Sequence, residues 1–114
     1  MATVKLEKKD NYIYAELSGE LTLSSSNEIK TTVKNYLETE HNYFVLVDMS
    51  KLELIDSSGL GVLISWFKLV NQEQGKVVYA AASQHVSKII GFAKLDKIFA
   101  LTETVGEAEV LLKM

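Results

Sequence analysis

Cysteine and proline are both absent from the 114-residue sequence. Without cysteine the chain has no disulfide framework, no thiol nucleophile and no cysteine-ligated metal centre. Without proline it has no polyproline II segment and no site for a proline-directed kinase. A chain of this length normally forms one domain, and it buries about two-thirds of its unfolded surface without help from a disulfide or a metal. We therefore expect residues 1–114 to form a single domain.

The sequence also lacks a large excess of charge of either sign and has no long apolar run. The sequence has 12 basic and 15 acidic side chains, and its net charge of −3 argues against a nucleic-acid-binding protein, which is usually basic. No run reaches the roughly 18 apolar residues of a membrane span, and the first residues lack the apolar segment of a signal peptide. An apolar fraction of 47% with 24% charged residues is typical of globular chains. These features predict a soluble, cytoplasmic protein with no nucleic-acid or membrane partner.

Two short segments near the start of the chain predict a β-hairpin. Residues 3–9 and 12–17 alternate apolar and polar side chains around the turn dipeptide Asp10-Asn11, and Gly19 is expected to end the second strand. A helix should follow, with its N-cap among Ser24 to Asn27. One face of that helix is apolar and consists of Ile29, Val33, Tyr36 and Leu37.

Strand and helix patterns alternate in the rest of the chain. Gly75 is expected at the C′ position of the second helix, and Ser83 and Thr104 are expected to cap the third and fourth. The alternation predicts parallel strands joined by right-handed crossovers. The fold class is therefore α/β, with a mixed sheet of four to five strands that begins with the antiparallel hairpin, and about four helices. The predicted strands are 43–47, 76–82 and 98–101, and the predicted helices are 58–74, 84–93 and the segment after Thr104, whose apolar face is Val105, Ala108, Leu111 and Leu112.

The hexapeptide Asp56-Ser57-Ser58-Gly59-Leu60-Gly61 follows a buried strand and opens a helix. A purely structural interpretation is available, because Asp and Ser are common N-caps and glycine allows a close approach to the sheet. However, two glycines in the first turns of a helix cost roughly 1 kcal/mol each relative to alanine. They would be explained if another backbone or a bulky group came close. The start of a helix also favours an anion.

This hexapeptide, together with Gly19-Glu20-Leu21 after the second strand, resembles the bacterial anti-sigma factor antagonists. These are single-domain members of the STAS family (sulfate transporter and anti-sigma antagonist domains), and the resemblance covers essentially the whole chain. It implies a STAS-type fold and a phosphorylated serine at Ser57, with Asp56, Ser58, Gly59 and Gly61 as its neighbours in the motif. It also implies two partners. An anti-sigma factor that is also a serine kinase binds the unphosphorylated form and releases the sigma factor, and a PP2C-type phosphatase resets the cycle.

Candidate partner contacts come from the same comparison and from one helix. The family commonly has Asp after Gly-Glu-Leu, where this chain has Thr22, so Glu20 and Thr22 are candidates in that loop. The helix after the motif carries two apolar stripes, and one must face the sheet. Either both stripes are buried, or the second is partly exposed and forms a contact surface with Ser57. The first stripe is Leu60, Leu63, Ile64 and Phe67, and the second is Val62, Trp66 and Leu69.

Three functions are compatible with these residues. The favoured one is a phosphorylation-controlled antagonist in bacterial transcription regulation, acting as a monomer or weak dimer. The second is a STAS scaffold or ligand-sensing module outside any sigma-factor pathway. The third, an enzyme with Ser57 as nucleophile, is disfavoured because His41 and His85 are isolated and no triad is identifiable. We therefore expect no catalytic residue, cofactor or metal.

Overall fold

The computed structural model describes residues 1–113 and confirms the predicted alternation of strands and helices. A 3₁₀ turn at Leu95–Lys97 separates the third helix from the last strand. In chain order the elements are β1 (Ala2–Lys8), β2 (Ile13–Leu21), α1 (Leu23–Glu40), β3 (Phe44–Ile55), α2 (Ser57–Gln72), β4 (Lys76–Ala80), α3 (Gln84–Phe92), β5 (Ala100–Thr102) and α4 (Val105–Lys113).

The five strands form one sheet in the order β1-β2-β3-β4-β5. β1 and β2 pair antiparallel through the predicted hairpin, and every later pair is parallel. The strands lie side by side in chain order because one helix crosses over between each parallel pair. The predicted α/β fold with a mixed sheet and four helices is confirmed.

The sheet has two covered faces of unequal size. Helices α1, α2 and α3 bury their apolar side chains against one face, whereas α4 covers part of the other with Ala108 and Leu112. Strand β3 serves both faces, since Val45 and Val47 belong to the larger core and Leu46 to the smaller. A strand buried on both sides needs apolar residues at consecutive positions, which explains the unbroken run predicted as a central strand.

The predicted caps of the last two helices are confirmed. The Ser83 hydroxyl accepts a hydrogen bond from the Val86 N–H at 3.1 Å. The Thr104 hydroxyl accepts one from the Glu107 N–H at 3.1 Å, and the Glu107 carboxylate accepts one from the Thr104 N–H at 3.1 Å. This reciprocal pair is a capping box and fixes where α4 leaves the sheet.

The start of the first helix differs from the prediction. Gly19 does not end β2, because the strand continues to Leu21 through a bulge in which Gly19 takes a φ of 86°. The N-cap of α1 is Thr22 rather than a residue from 24–27. Ser25 and Ser26 lie buried inside the first turn, and their hydroxyls donate to backbone carbonyls instead of capping. Helix α1 therefore begins directly after β2, whose last residue pairs with the residue just before the hexapeptide.

The other boundary differences have local backbone causes. Gln74, not Gly75, occupies the left-handed C′ position after α2, with a φ of 57°. The Gly75 N–H then donates to the Val70 carbonyl at 2.7 Å, which completes a Schellman motif. β4 ends at Ala80, since Ala81 has a φ of 61°. β5 begins two residues later than expected because Ile98 and Phe99 still belong to the turn, and their N–H groups donate to the Leu95 carbonyl at 3.0 and 2.8 Å.

Candidate functional site

Ser57 is the first residue of α2, and its side chain is exposed to solvent. Strand β3 ends immediately before it, beside the end of β2, because Glu20 pairs with Leu54 and Leu21 pairs with Ile55. The loop that follows β2 therefore lies next to the start of α2. The structure thus brings Glu20 and Thr22 to the hexapeptide, as a shared surface at the carboxyl ends of two parallel strands.

The carboxylate of Asp56 links the two helices that start at this edge of the sheet. Its Oδ1 accepts a hydrogen bond from the Gly59 N–H at 3.0 Å and caps α2. Its Oδ2 accepts one from the Leu23 N–H at 3.2 Å, at the first residue of α1. Thr22, the N-cap of α1, makes no cap hydrogen bond with its own side chain. Of the Asp and Ser side chains that the motif offers as N-caps, Asp56 is the one that caps α2. Sequence reasoning missed the bridge to α1.

Replacing Asp56 with alanine should lower the free energy of unfolding by about 2 kcal/mol, because both helix starts lose their side-chain acceptor. The free energy of unfolding of Asp56→Asn should lie between those of the wild type and Asp56→Ala, since an amide offers one acceptor oxygen and cannot serve both helices. Urea denaturation monitored by circular dichroism measures the difference. Ser83→Ala, which removes the single cap of α3, is the matched control at about 1 kcal/mol. Equal stability of Asp56→Ala and the wild type would disprove the bridging role.

The two glycines of the hexapeptide have different surroundings. A Cβ atom at Gly59 would lie 2.4 Å from the Leu21 carbonyl oxygen and 2.5 Å from the Ile55 Cγ1 atom. Nothing lies within 4 Å of the corresponding position at Gly61. The close approach that we inferred from two glycines is therefore confirmed at Gly59 and wrong at Gly61.

The second apolar stripe of α2 is not the exposed surface that one of our interpretations required. Val62 and Trp66 are only 3% and 2% exposed, so the prediction that their side chains are accessible to a partner is wrong. Helix α1 lies against α2 and covers them, and the Trp66 indole N–H donates to the Lys30 carbonyl of α1 at 3.3 Å. Leu69 is half-buried at the edge of this contact and remains a candidate. The alternative interpretation, in which the second stripe is buried like the first, holds for Val62 and Trp66.

Two other apolar side chains near Ser57 are exposed. Leu23 is 77% exposed at the start of α1, and Leu54 is 38% exposed near the end of β3. Sequence reasoning missed Leu23 because it placed the helix start among the serines, and Leu54 because it ended the strand at residue 47. Because they lie near Ser57 and are open to solvent, both leucines are candidate partner contacts.

The buried carboxylate of Asp48 lies on the smaller-core face of the sheet and is satisfied within the protein. It accepts hydrogen bonds from the Tyr14 hydroxyl at 2.5 Å and from the Ser50 N–H at 2.9 Å. Burial alone would raise the pKa of Asp48, but these hydrogen bonds and the charge of Lys51 outweigh it, so the pKa lies below its ordinary value. Burial and the hydrogen bond to Asp48 raise the pKa of Tyr14. The pair thus stays as a neutral phenol and a carboxylate, which stabilises β2 against β3.

Comparison with known proteins identifies the family. The STAS domain family matches residues 3–108, and the chain belongs to that family. The anti-sigma F factor antagonist of Paenibacillus polymyxa is 24% identical over 98 residues, which cover 86% of this chain and 84% of that protein. The anti-sigma-B factor antagonist of Listeria monocytogenes is 22% identical over 106 residues, or 92% of each chain.

Solved structures show the same fold. An anti-sigma factor antagonist from Mycobacterium paratuberculosis superimposes with a TM-score of 0.89 at 21% identity, covering 100% of this chain and 96% of that one. The unphosphorylated form of the antagonist SpoIIAA superimposes with a TM-score of 0.84 at 20% identity, covering 97% and 96%. In residues 1–113, no helix combines the length and the apolar character needed to span a bilayer.

Proposed function

We propose that this protein is an anti-sigma factor antagonist controlled by phosphorylation of Ser57. In its unphosphorylated form it binds an anti-sigma factor that is also a serine kinase, and the sigma factor is released. The observation that carries this proposal is the exposed Ser57 hydroxyl at the first position of α2, beside the Asp56 carboxylate and the exposed leucines. The named functions of the relatives from Paenibacillus polymyxa and Listeria monocytogenes support it.

A phosphate at this position can prevent binding without unfolding the protein. It adds about −1.5 to −2 charges and three acceptor oxygens at pH 7. The N-terminus of a helix tolerates that charge because its free N–H groups and its dipole favour anions. A partner surface that packs against Leu23 and Leu54, however, would have to bury the phosphate or lose contact with both leucines. When a partner removes water from this surface, the repulsion between the phosphate and the Asp56 carboxylate is screened less, which adds to that cost.

The same exposure makes Ser57 accessible to the two enzymes that the cycle needs. The kinase transfers a phosphate to the serine Oγ and a PP2C-type phosphatase removes it by hydrolysis, so both enzymes must reach the same oxygen atom. SpoIIAA, which shares this fold, has been solved in a phosphorylated form with a TM-score of 0.72 to this chain. In this scheme the protein is a binding partner and a kinase substrate, not an enzyme.

Mass spectrometry after incubation with ATP and candidate anti-sigma factor kinases tests the proposal. We expect one phosphate, located on Ser57, and a loss of kinase binding of at least about 100-fold in Ser57→Asp, which adds buried charge at the interface. Ser57→Ala should bind the kinase but accept no phosphate. Ser58→Ala is the matched control and should still be labelled at Ser57. Labelling at another residue, or unchanged binding by Ser57→Asp, would refute the switch and favour a STAS scaffold outside a sigma-factor pathway.

A further inference from the structure

A groove between α1 and α2 begins at the hexapeptide and continues away from it. Two adjoining cavities of about 230 and 290 Å³ form it, and Lys30 lines both. Ser58 and Gly61 of the hexapeptide line the first cavity, which places it next to the residue that follows Ser57. The second continues along α2 as far as Gln72. From Gly61 to Gln72 the groove follows about 16 Å of helix, at 1.5 Å per residue.

The groove is positively charged although the protein as a whole is acidic. Lys30, Lys34 and Lys68 line it, and α2 contains no acidic residue. Within residues 1–113, the lysines that form ion pairs are Lys8, Lys9 and Lys51, and none of the three groove lysines is among them. Their charges are therefore available to a ligand, in a chain whose net charge is −3.

The floor of the groove is part of the hydrophobic core and does not have to form on binding. Val62 and Trp66 line it from below and are almost fully buried, and the hydrogen bond from the Trp66 indole to the Lys30 carbonyl holds the two helices together. A preformed groove spares the partner the entropic cost of ordering it. Polar side chains also line the groove: Asn27, Ser58, Ser65 and Gln72.

We propose that this lysine groove docks an acidic segment of the same partner that recognises Ser57. The inference rests on the proposed function and extends the contact surface from the exposed leucines to the far end of α2. Charge complementarity favours an acidic protein segment, and the length of the groove fits about three turns of a helix or five residues of extended chain. The contact surface then carries both signs of charge, with the exposed Glu20 at the end of β2 and three lysines in the groove.

Charge reversal at the two exposed groove lysines tests this surface, with the kinase that labels Ser57 as the probe. Isothermal titration should show that Lys34→Glu/Lys68→Glu binds at least about tenfold more weakly than the wild type, with a smaller dependence of Kd on salt. Lys34→Arg/Lys68→Arg should retain binding. The matched control is Lys88→Glu/Lys97→Glu, which makes the same change in net charge at exposed positions outside the groove and should bind as the wild type does.

The outcomes separate the groove from the phosphorylation switch. If Ser57→Asp abolishes binding but the groove variant binds normally, the groove assignment is wrong and the proposed function stands. If the control variant loses as much affinity as the groove variant, net charge rather than the groove is responsible, and the assignment also fails. If Ser57→Asp binds as tightly as the wild type, the proposed function fails, and the groove assignment fails with it. Thermal denaturation checks that each variant is folded. We expect all of them to be, because the four substituted lysines are surface residues.

Discussion

Trp66→Ala should lower the free energy of unfolding by about 3–5 kcal/mol, because the indole is 2% exposed and fills the contact between α1, α2 and the sheet. Truncation leaves a cavity that the surrounding β-sheet and helices cannot fill, and it removes the hydrogen bond to the Lys30 carbonyl. The melting temperature should fall by about 10–20 °C in a chain of this size. Urea denaturation and calorimetry measure both quantities.

The same variant distinguishes a core residue from a binding residue. Trp66 is buried beneath the lysine groove, so the affinity of the folded variant for the anti-sigma factor kinase should fall only as far as the groove itself is disturbed, and by less than the about tenfold loss expected for Lys34→Glu/Lys68→Glu. Leu69→Ala is the matched comparison, because Leu69 lies at the half-buried edge of the same stripe and should cost less stability. A Trp66→Ala protein that kept its melting temperature and lost affinity would show instead that the indole contacts the partner.

Alanine at Gly59 should destabilise the fold by about 3 kcal/mol, whereas alanine at Gly61 should stabilise it by up to about 1 kcal/mol. At Gly59 the new methyl group would overlap the Leu21 carbonyl oxygen, a backbone atom of β2 that cannot rotate away. At Gly61 the methyl group meets open space, so only the better helix propensity of alanine remains.

The two glycine variants control for each other, since they place the same methyl group two residues apart on one helix. Their free energies of unfolding, from urea denaturation under identical conditions, should change in opposite directions. A similar loss of stability in both variants would mean that alanine is unfavourable throughout this turn. In that case the close approach of β2 would not explain Gly59.

The sequence by itself determined the fold class, the order of the elements and the place of the candidate site. Consecutive apolar residues in β3 indicate a strand that is buried on both faces, and alternating ones in the hairpin indicate strands that are buried on one face. Both are local patterns that the sequence shows directly. Cap residues such as Ser83 and Thr104 act on N–H groups three residues away, so they too are visible in a short segment. The hexapeptide marked Ser57 for the same reason.

Only the tertiary structure decided which side chains around Ser57 are accessible and which two elements share Asp56. Helical periodicity shows that α2 has two apolar stripes, but the packing of α1 against one of them depends on residues about 36 positions away. The same long-range packing buries Trp66, exposes Leu23, gathers three lysines from two helices into one groove and places the Leu21 carbonyl against Gly59. Contacts of this kind depend on how helices and strands meet in space, which no local pattern specifies.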